Sequence, residues 1–463
     1  MDAASSASSG NGASGQLMKQ NPIDPGRGRP SEATTSSRAQ QPDKYDAPGL
    51  MANMGPRRFH SMIKPAGSAC NLDCTYCFYL SKETLADGPG PGKMSDETLE
   101  RFIEQYIAGV TGPEVVFSWQ GGEPMLRGLD FYRKVVALQK KHARQNQSIE
   151  NDLQTNGTLI DDEWCEFLRD NRFLVGLSID GPRALHDLYR VNKGGAPTFD
   201  KVFGAAMLMK RRGVRFNTLT CVNRVNAKRP LDVYRFLRRE LGSTYMQFIP
   251  IVEYKGFETT APQMWDTSKL PRIGDPEARP GHPDSIVTDW SVDPEDWGYF
   301  LCKVFDEWRK NDMGKVLVNH CETLVSQHLG LGSQLCVYSE VCGKGVAVEH
   351  DGSVYSCDHY VYPEYRVGNI HDATLSASVF SRAQVKFGYA KSESLPKACR
   401  ECPYLSDCWG ECPKNRILRT ADGEPGLNYL CTGFKRFFAH AIPEVDRIVA
   451  GLQKRGVQPH TRR

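Results

Sequence analysis

The chain lacks a charge imbalance. Its 58 lysines and arginines face 55 aspartates and glutamates, a formal net charge of +3. That balance removes the electrostatic case for a nucleic-acid partner. No run is long and apolar enough to span a bilayer, so no membrane partner is expected. The N-terminus has no basic stretch followed by an apolar one, the order of a secretory signal, and a reducing cytoplasm is the expected address. Residues 1–55 are nearly free of aromatic and β-branched side chains and rich in Ser, Gly, Ala, Pro and Gln. Such a segment cannot bury enough surface to offset its ordering entropy, and it is expected to be disordered.

Cysteine, by contrast, is plentiful. Fifteen occur, three of them within residues 70–77 and eight between 336 and 431. In a reducing compartment, clustered thiols more often hold metal than form disulfides. The four scattered ones, Cys165, Cys221, Cys302 and Cys321, read as small buried apolar residues.

From about residue 58 short β-branched or aromatic runs alternate with helical stretches. Strands are expected over 59–65, 114–119, 148–155, 173–179, 215–222 and 245–251, and helices near 95–109, 129–144, 161–171, 199–212 and 229–241. Alternation of this kind implies a parallel sheet with right-handed crossovers, either open or an incomplete barrel. Chemistry then belongs at the C-terminal ends of the strands. The polar and Gly-rich segments AGSACNLDCTYC, QGGEP, QTNGT, SIDGP and VNRVN all fall there. Residues 253–292 read as a long connection, Asp293-Pro294-Glu295-Asp296 as a helix start, and 316–329 as a further helix. The stretch from there to about 435 reads as a loop-rich unit held by metal.

Cys70, Cys74 and Cys77 cannot by themselves close a zinc site or supply every iron of a four-iron cluster. Three thiolates leave one iron open for another molecule; the alternative is a structural zinc completed by a distant cysteine. The CxxxCxxC spacing, with Tyr76 before the last cysteine, resembles the signature of the radical S-adenosylmethionine superfamily. The resemblance implies a partial (β/α)6 barrel and a [4Fe–4S] cluster on the three cysteines. It also implies S-adenosylmethionine bound by the open iron and cleaved to a 5′-deoxyadenosyl radical. Gly121-Gly122-Glu123-Pro124 resembles the family's GGEP motif, in which Glu123 would accept from the methionine amino group. Taken alone, GGEP reads equally as an ordinary turn; Tyr76, Ser178, Arg190 and Ile249 match further cofactor-contacting positions, and Asn156 reads as a turn residue.

The later cysteines run Cys336, Cys342, Cys357, Cys399, Cys402, Cys408, Cys412 and Cys431. Eight thiols make two sets of four, and spacing alone does not separate zinc from iron–sulfur. The spacing resembles the SPASM domain of radical peptide-modifying enzymes, which carries two auxiliary [4Fe–4S] clusters. By that resemblance Cys336, Cys342, Cys357 and Cys412 hold one cluster. Cys399, Cys402, Cys408 and Cys431 hold the other.

Within that group the chain is similar to the anaerobic sulfatase-maturating enzymes, from about residue 58 to about 440. Tyr79, Gln120 and the QFIP run at 247–250 belong to the likeness, with Tyr79 and Gln120 as substrate-binding positions. Asp358, directly after Cys357, matches the proposed general base; His359 beside it is a second candidate, and a turn aspartate is the plainer reading. The implied reaction oxidises an active-site cysteine or serine of a sulfatase to Cα-formylglycine. The implied partners are an unfolded or nascent sulfatase polypeptide and a low-potential electron donor of flavodoxin or ferredoxin type. A crosslinking maturase of precursor peptides and a non-catalytic zinc-binding module are the alternatives. The expected organisation is a disordered extension at 1–55, the barrel at 56–255, and a connecting segment with helices at 256–335. The cluster domain follows at 336–440, and a helix or tail at 441–463.

Overall fold

The structure, a computed structural model, describes residues 59–85, 88 and 92–456. The extension expected to be disordered, 1–55, lies outside the described residues. Six parallel strands form where the apolar runs placed them: β1 His60–Lys64, β2 Glu114–Trp119, β3 Ser148–Thr155, β4 Leu174–Ser178, β5 Phe216–Val222 and β6 Tyr245–Pro250. Helices α1 Asp96–Gly109, α2 Leu129–His142, α3 Asp162–Asp170, α4 Phe199–Arg212 and α5 Pro230–Arg235 alternate with them, and α5 runs on as a π turn to Glu240.

Local chemistry explains the boundaries. Ser95 accepts a hydrogen bond from Thr98 N, and Asp161 from Trp164 N, so each helix start satisfies an orphan donor. Gly213 closes α4 with φ of 73°, a left-handed conformation that favours glycine. The buried face of α1 carries Leu99, Phe102, Ile103 and Tyr106, at helical spacing. Phe102 and Tyr106 pack edge-on against Phe117 of β2, with ring centroids 6.0 and 5.0 Å away. Burying each such ring contributes about 1.5–3 kcal/mol.

Beyond the barrel, Asp293 caps α6, Pro294–Asn311, by accepting from Glu295 N. A two-residue strand β7, Leu317–Val318, and helix α7, Asn319–His328, follow. The connection at 253–292 holds only short 3-10 turns, as expected, yet it buries Phe257, Trp265 and Leu270.

The reading of the following region as loops was incomplete. Strands β8 Gly345–Glu349, β9 Ser353–Tyr355 and β10 Arg366–Asn369 join the main sheet, with helix α8, Arg382–Glu393, behind them. Strand β8 pairs in parallel with β1, and the ten strands run β10-β9-β8-β1-β2-β3-β4-β5-β6-β7. Strands this short carry little pattern of their own; β8 is completed by pairing with β1, β9 by pairing with β8, and β10 by pairing with β9. The last helix, α9, spans Cys431–Lys454, starting ten residues before the expected 441 and running through Pro443. It crosses α6 at two glycines: a Cβ on Gly433 would lie 2.1 Å from Pro294 O, and one on Gly298 2.7 Å from Gly433 Cα. No helix among the described residues is long and apolar enough to cross a membrane.

Candidate active site and thiol sets

The ends of the parallel strands surround a cavity of about 310 Å³. Cys70, Cys74 and Cys77 line it from the loop after β1, and Asp358 and Cys412 face them from the C-terminal region. The cysteine loop is fastened by Asp73 N donating to Val191 O (2.9 Å) and Thr75 N to Tyr189 O (3.0 Å). A turn closes it, with Cys77 N on Cys74 O at 2.9 Å. Gly121 and Gly122 are needed on its other side. A Cβ at Gly122 would lie 2.2 Å from Ala69 O, and Gly122 N donates to Gly67 O at 2.9 Å. The glycine pair therefore lets one strand-end loop press against the backbone that presents Cys70.

Lys64, the last residue of β1, is buried, and its ammonium pairs with the Asp358 carboxylate. Burial would push the Asp358 carboxyl up; the Lys64 charge, with His359 and Lys82 behind it, outweighs that and holds it below the usual carboxylate range. The Lys64 ammonium also lies 4.6 Å from the centre of the Tyr79 ring, whose hydroxyl donates to Glu349. Register explains the assembly, since Lys64 and Glu349 are opposite each other on β1 and β8. Burial lowers His359 to about 4, so this imidazole is neutral near pH 7. Lys414 pairs with buried Glu253 at 2.9 Å on the same wall.

The eight later thiols separate into two groups. Cys399, Cys402, Cys408 and Cys431 line a second cavity of about 180 Å³. Cys357 lies within electrostatic reach of Cys336 and Cys412, and Cys342 within reach of Cys336. The chain thus crosses between groups three times, entering the second at Cys399, returning to the first at Cys412 and re-entering the second at Cys431.

Comparison with known proteins decides the family. The Radical SAM superfamily profile matches residues 65–237, and the iron–sulfur cluster-binding SPASM profile matches 336–403. A serine-type anaerobic sulfatase-maturating enzyme of Bacteroides thetaiotaomicron is 47% identical over 385 residues, covering 83% of this chain and 90% of that protein. The chain belongs to the anaerobic sulfatase-maturating enzymes. A cysteine-type member from Clostridium perfringens is 35% identical over 85% of this chain and 98% of its own length. The solved structure described as native anSMEcpe with bound AdoMet and Kp18Cys peptide superposes with a TM-score of 0.71 at 35% identity, covering 84% of this chain and 99% of that one.

The donor chemistry fits what a sulfatase-maturating enzyme of the radical SAM superfamily requires. Burial pushes the Cys70 thiol up to about 11 and Cys74 up to about 12, with the Arg190 charge opposing it at Cys74. Cys342 and Cys431 are likewise raised to about 11 by burial. Thiols in such surroundings become thiolates when a metal supplies the compensating charge.

Tyr76, Tyr79, Gln120, Gly121, Gly122, Ser178, Arg190 and Ile249 all line the first cavity with the triplet and Asp358. Glu123 is not among the residues lining this cavity. Its carboxylate is fully buried and accepts from Met125 N (3.0 Å), Thr155 Oγ1 (2.9 Å) and Asn156 N (2.8 Å). It braces the strand ends from behind, and burial raises it to about 7. Arg190 is not a free fork either, because its Nε pairs with Asp180 at 3.0 Å.

Sequence reasoning missed Lys64, Asp180, Glu253 and Lys414. Lys64 left a signal, a lone charge ending an apolar strand. Asp180 left one in SIDGP, an acid at a strand end two residues after Ser178.

Proposed function

We propose that this chain oxidises an active-site cysteine or serine of an unfolded or nascent sulfatase polypeptide to Cα-formylglycine. Its cofactors in this reading are S-adenosylmethionine and three [4Fe–4S] clusters, one on Cys70, Cys74 and Cys77 and two auxiliary ones on the thiol groups described above. A low-potential flavodoxin- or ferredoxin-type donor supplies electrons, and the thiol-rich sites suit a reducing cytoplasm. The observation that carries the reading is Asp358, an ionised carboxylate on the same cavity as the triplet, fixed by Lys64 and adjoining the first auxiliary thiol group.

When bound, these groups supply a carbon radical that removes a hydrogen atom from the substrate Cβ and an acceptor for one electron. The protein must bind, orient and take a proton. Tyr76, Gly121, Gly122, Ser178, Arg190 and Ile249 bound the space for S-adenosylmethionine. Tyr79 and Gln120 lie on the cavity wall where the peptide would enter. Asp358 accepts the proton of the substrate thiol or hydroxyl, and Cys357 and Cys412 beside it would hold the group that supplies the electron acceptor. Lys64 keeps the carboxylate ionised and still.

Asp358→Asn tests this. With reconstituted protein and a peptide bearing the target residue, the variant should still release 5′-deoxyadenosine. Formylglycine should fall about a hundredfold or more. Formylglycine formation at the wild-type rate would remove Asp358 as the base.

A further inference from the structure

Lys391 lies on α8, far along the chain from the triplet, and is 1% exposed. Its ammonium donates to the carbonyl oxygens of Cys336 and Val337, each at 2.8 Å. The backbone at Lys391 is held as well, because Arg416 donates to its carbonyl at 2.7 Å and to Trp409 O at 3.0 Å. An ammonium so buried is costly unless something negative faces it. The groups within electrostatic reach are the thiols of Cys412, Cys342 and Cys336, negative once a metal holds them as thiolates, and the Glu411 carboxylate. Glu411 is itself engaged by Asn415 and Asn428, at 2.9 and 2.8 Å.

We propose that Lys391 is a positioning residue that raises the reduction potential of the auxiliary cluster on Cys336, Cys342, Cys357 and Cys412. This rests on the reading that those four thiols hold a four-iron cluster. Four thiolates give such a cluster a net negative charge, and one-electron reduction adds another. A fixed cation held against the backbone of a ligand, as Lys391 is at Cys336, stabilises the reduced state more than the oxidised one. The electron leaves the substrate carbon radical as its S–H or O–H proton goes to Asp358. The cluster beside Lys391 gains it.

The test is an anaerobic redox titration of the reconstituted full chain followed by EPR, for wild type, Lys391→Gln and Lys391→Arg. Glutamine keeps N–H donors for the two carbonyls but removes the charge; arginine keeps the charge. In Lys391→Gln one reduction wave should move to lower potential by about tenfold in its equilibrium constant, about 59 mV for one electron. The other waves should stay in place and Lys391→Arg should resemble wild type. Unmoved waves in an iron-replete Lys391→Gln would overturn the proposal. So would a shift, or a loss of iron, equally large in Lys391→Arg, since the effect would then be packing. Selective loss of this cluster's iron in Lys391→Gln alone would support charge compensation. If wild type takes up only about four irons per chain, the cluster assignment itself fails, a result distinguishable from the others.

Discussion

Asp180 has no exposed surface, yet groups from three segments converge on its carboxylate. Tyr76 donates its hydroxyl from the cysteine loop, Cys221 its backbone N–H from β5 at 3.0 Å, and Arg190 its charge. All three residues line the cavity proposed for S-adenosylmethionine, so Asp180 sets their positions without itself lining that space. Asp180→Asn keeps the shape and removes the charge, leaving the buried guanidinium uncompensated. Breaking a buried pair in this way costs about 3–5 kcal/mol. The expected result is S-adenosylmethionine affinity weakened about tenfold or more by equilibrium dialysis, with auxiliary iron content unchanged. Affinity equal to wild type would mean that Arg190 holds its place by packing alone. The contrast with Glu123 is instructive. Both acids follow strand ends within family-like motifs, and the sequence marked Glu123 for the cofactor. The structure adds that backbone donors of residues 125 and 156 engage both of its oxygens from behind the cavity wall.

Elements were legible in proportion to their length and periodicity. The six barrel strands and four of their helices appear within two residues of where the pattern placed them, because each carries enough apolar residues to declare a buried face. Strands β8 to β10, of three to five residues, do not. They exist because β1 offers an edge, and a pairing between residues 285 apart (His60 with Gly345) has no local signature. Helix α9 carries two residues that weaken a helical pattern, an internal proline that ordinarily ends a helix and a glycine at its third position. That glycine has a specific use. Gly433 lets α9 close on α6, and a methyl group there meets the Pro294 carbonyl, which cannot yield without parting the helices. Gly433→Ala should destabilise the protein by about 1–3 kcal/mol. Because Cys431 opens the same helix, iron uptake at the Cys399, Cys402, Cys408 and Cys431 group should fall with it. Thermal unfolding and iron content measured together check this; a stable variant with full iron would show that the helices separate at little cost.

At the scale of the whole molecule, the extended sheet explains why Asp358 and the first of the later thiol groups meet the triplet. Strand β1 leads into Cys70, and β8 and β9, beside it, lead into Cys357 and Asp358. The two later thiol groups are joined more tightly still. Only Trp409, Gly410 and Glu411 separate Cys408 of one from Cys412 of the other, and all three have positive φ, at 47°, 66° and 50°. For tryptophan and glutamate this conformation costs about 1–3 kcal/mol each and persists only where the surroundings over-determine it. Metal held on both sides is such a surrounding, and Arg416, donating to Trp409 O and Gly410 O, is a part of it. Removing ligands from one group should therefore release the turn and loosen the other. Reconstituted wild type should hold about twelve irons per chain, and Cys70→Ala/Cys74→Ala/Cys77→Ala about eight, because the triplet lies on a separate loop. Cys399→Ala/Cys402→Ala should fall to about four, losing both auxiliary clusters where independent sites would lose one. A count of about eight in that variant would show that the left-handed turn is held by the protein alone, and that the two clusters assemble without reference to each other.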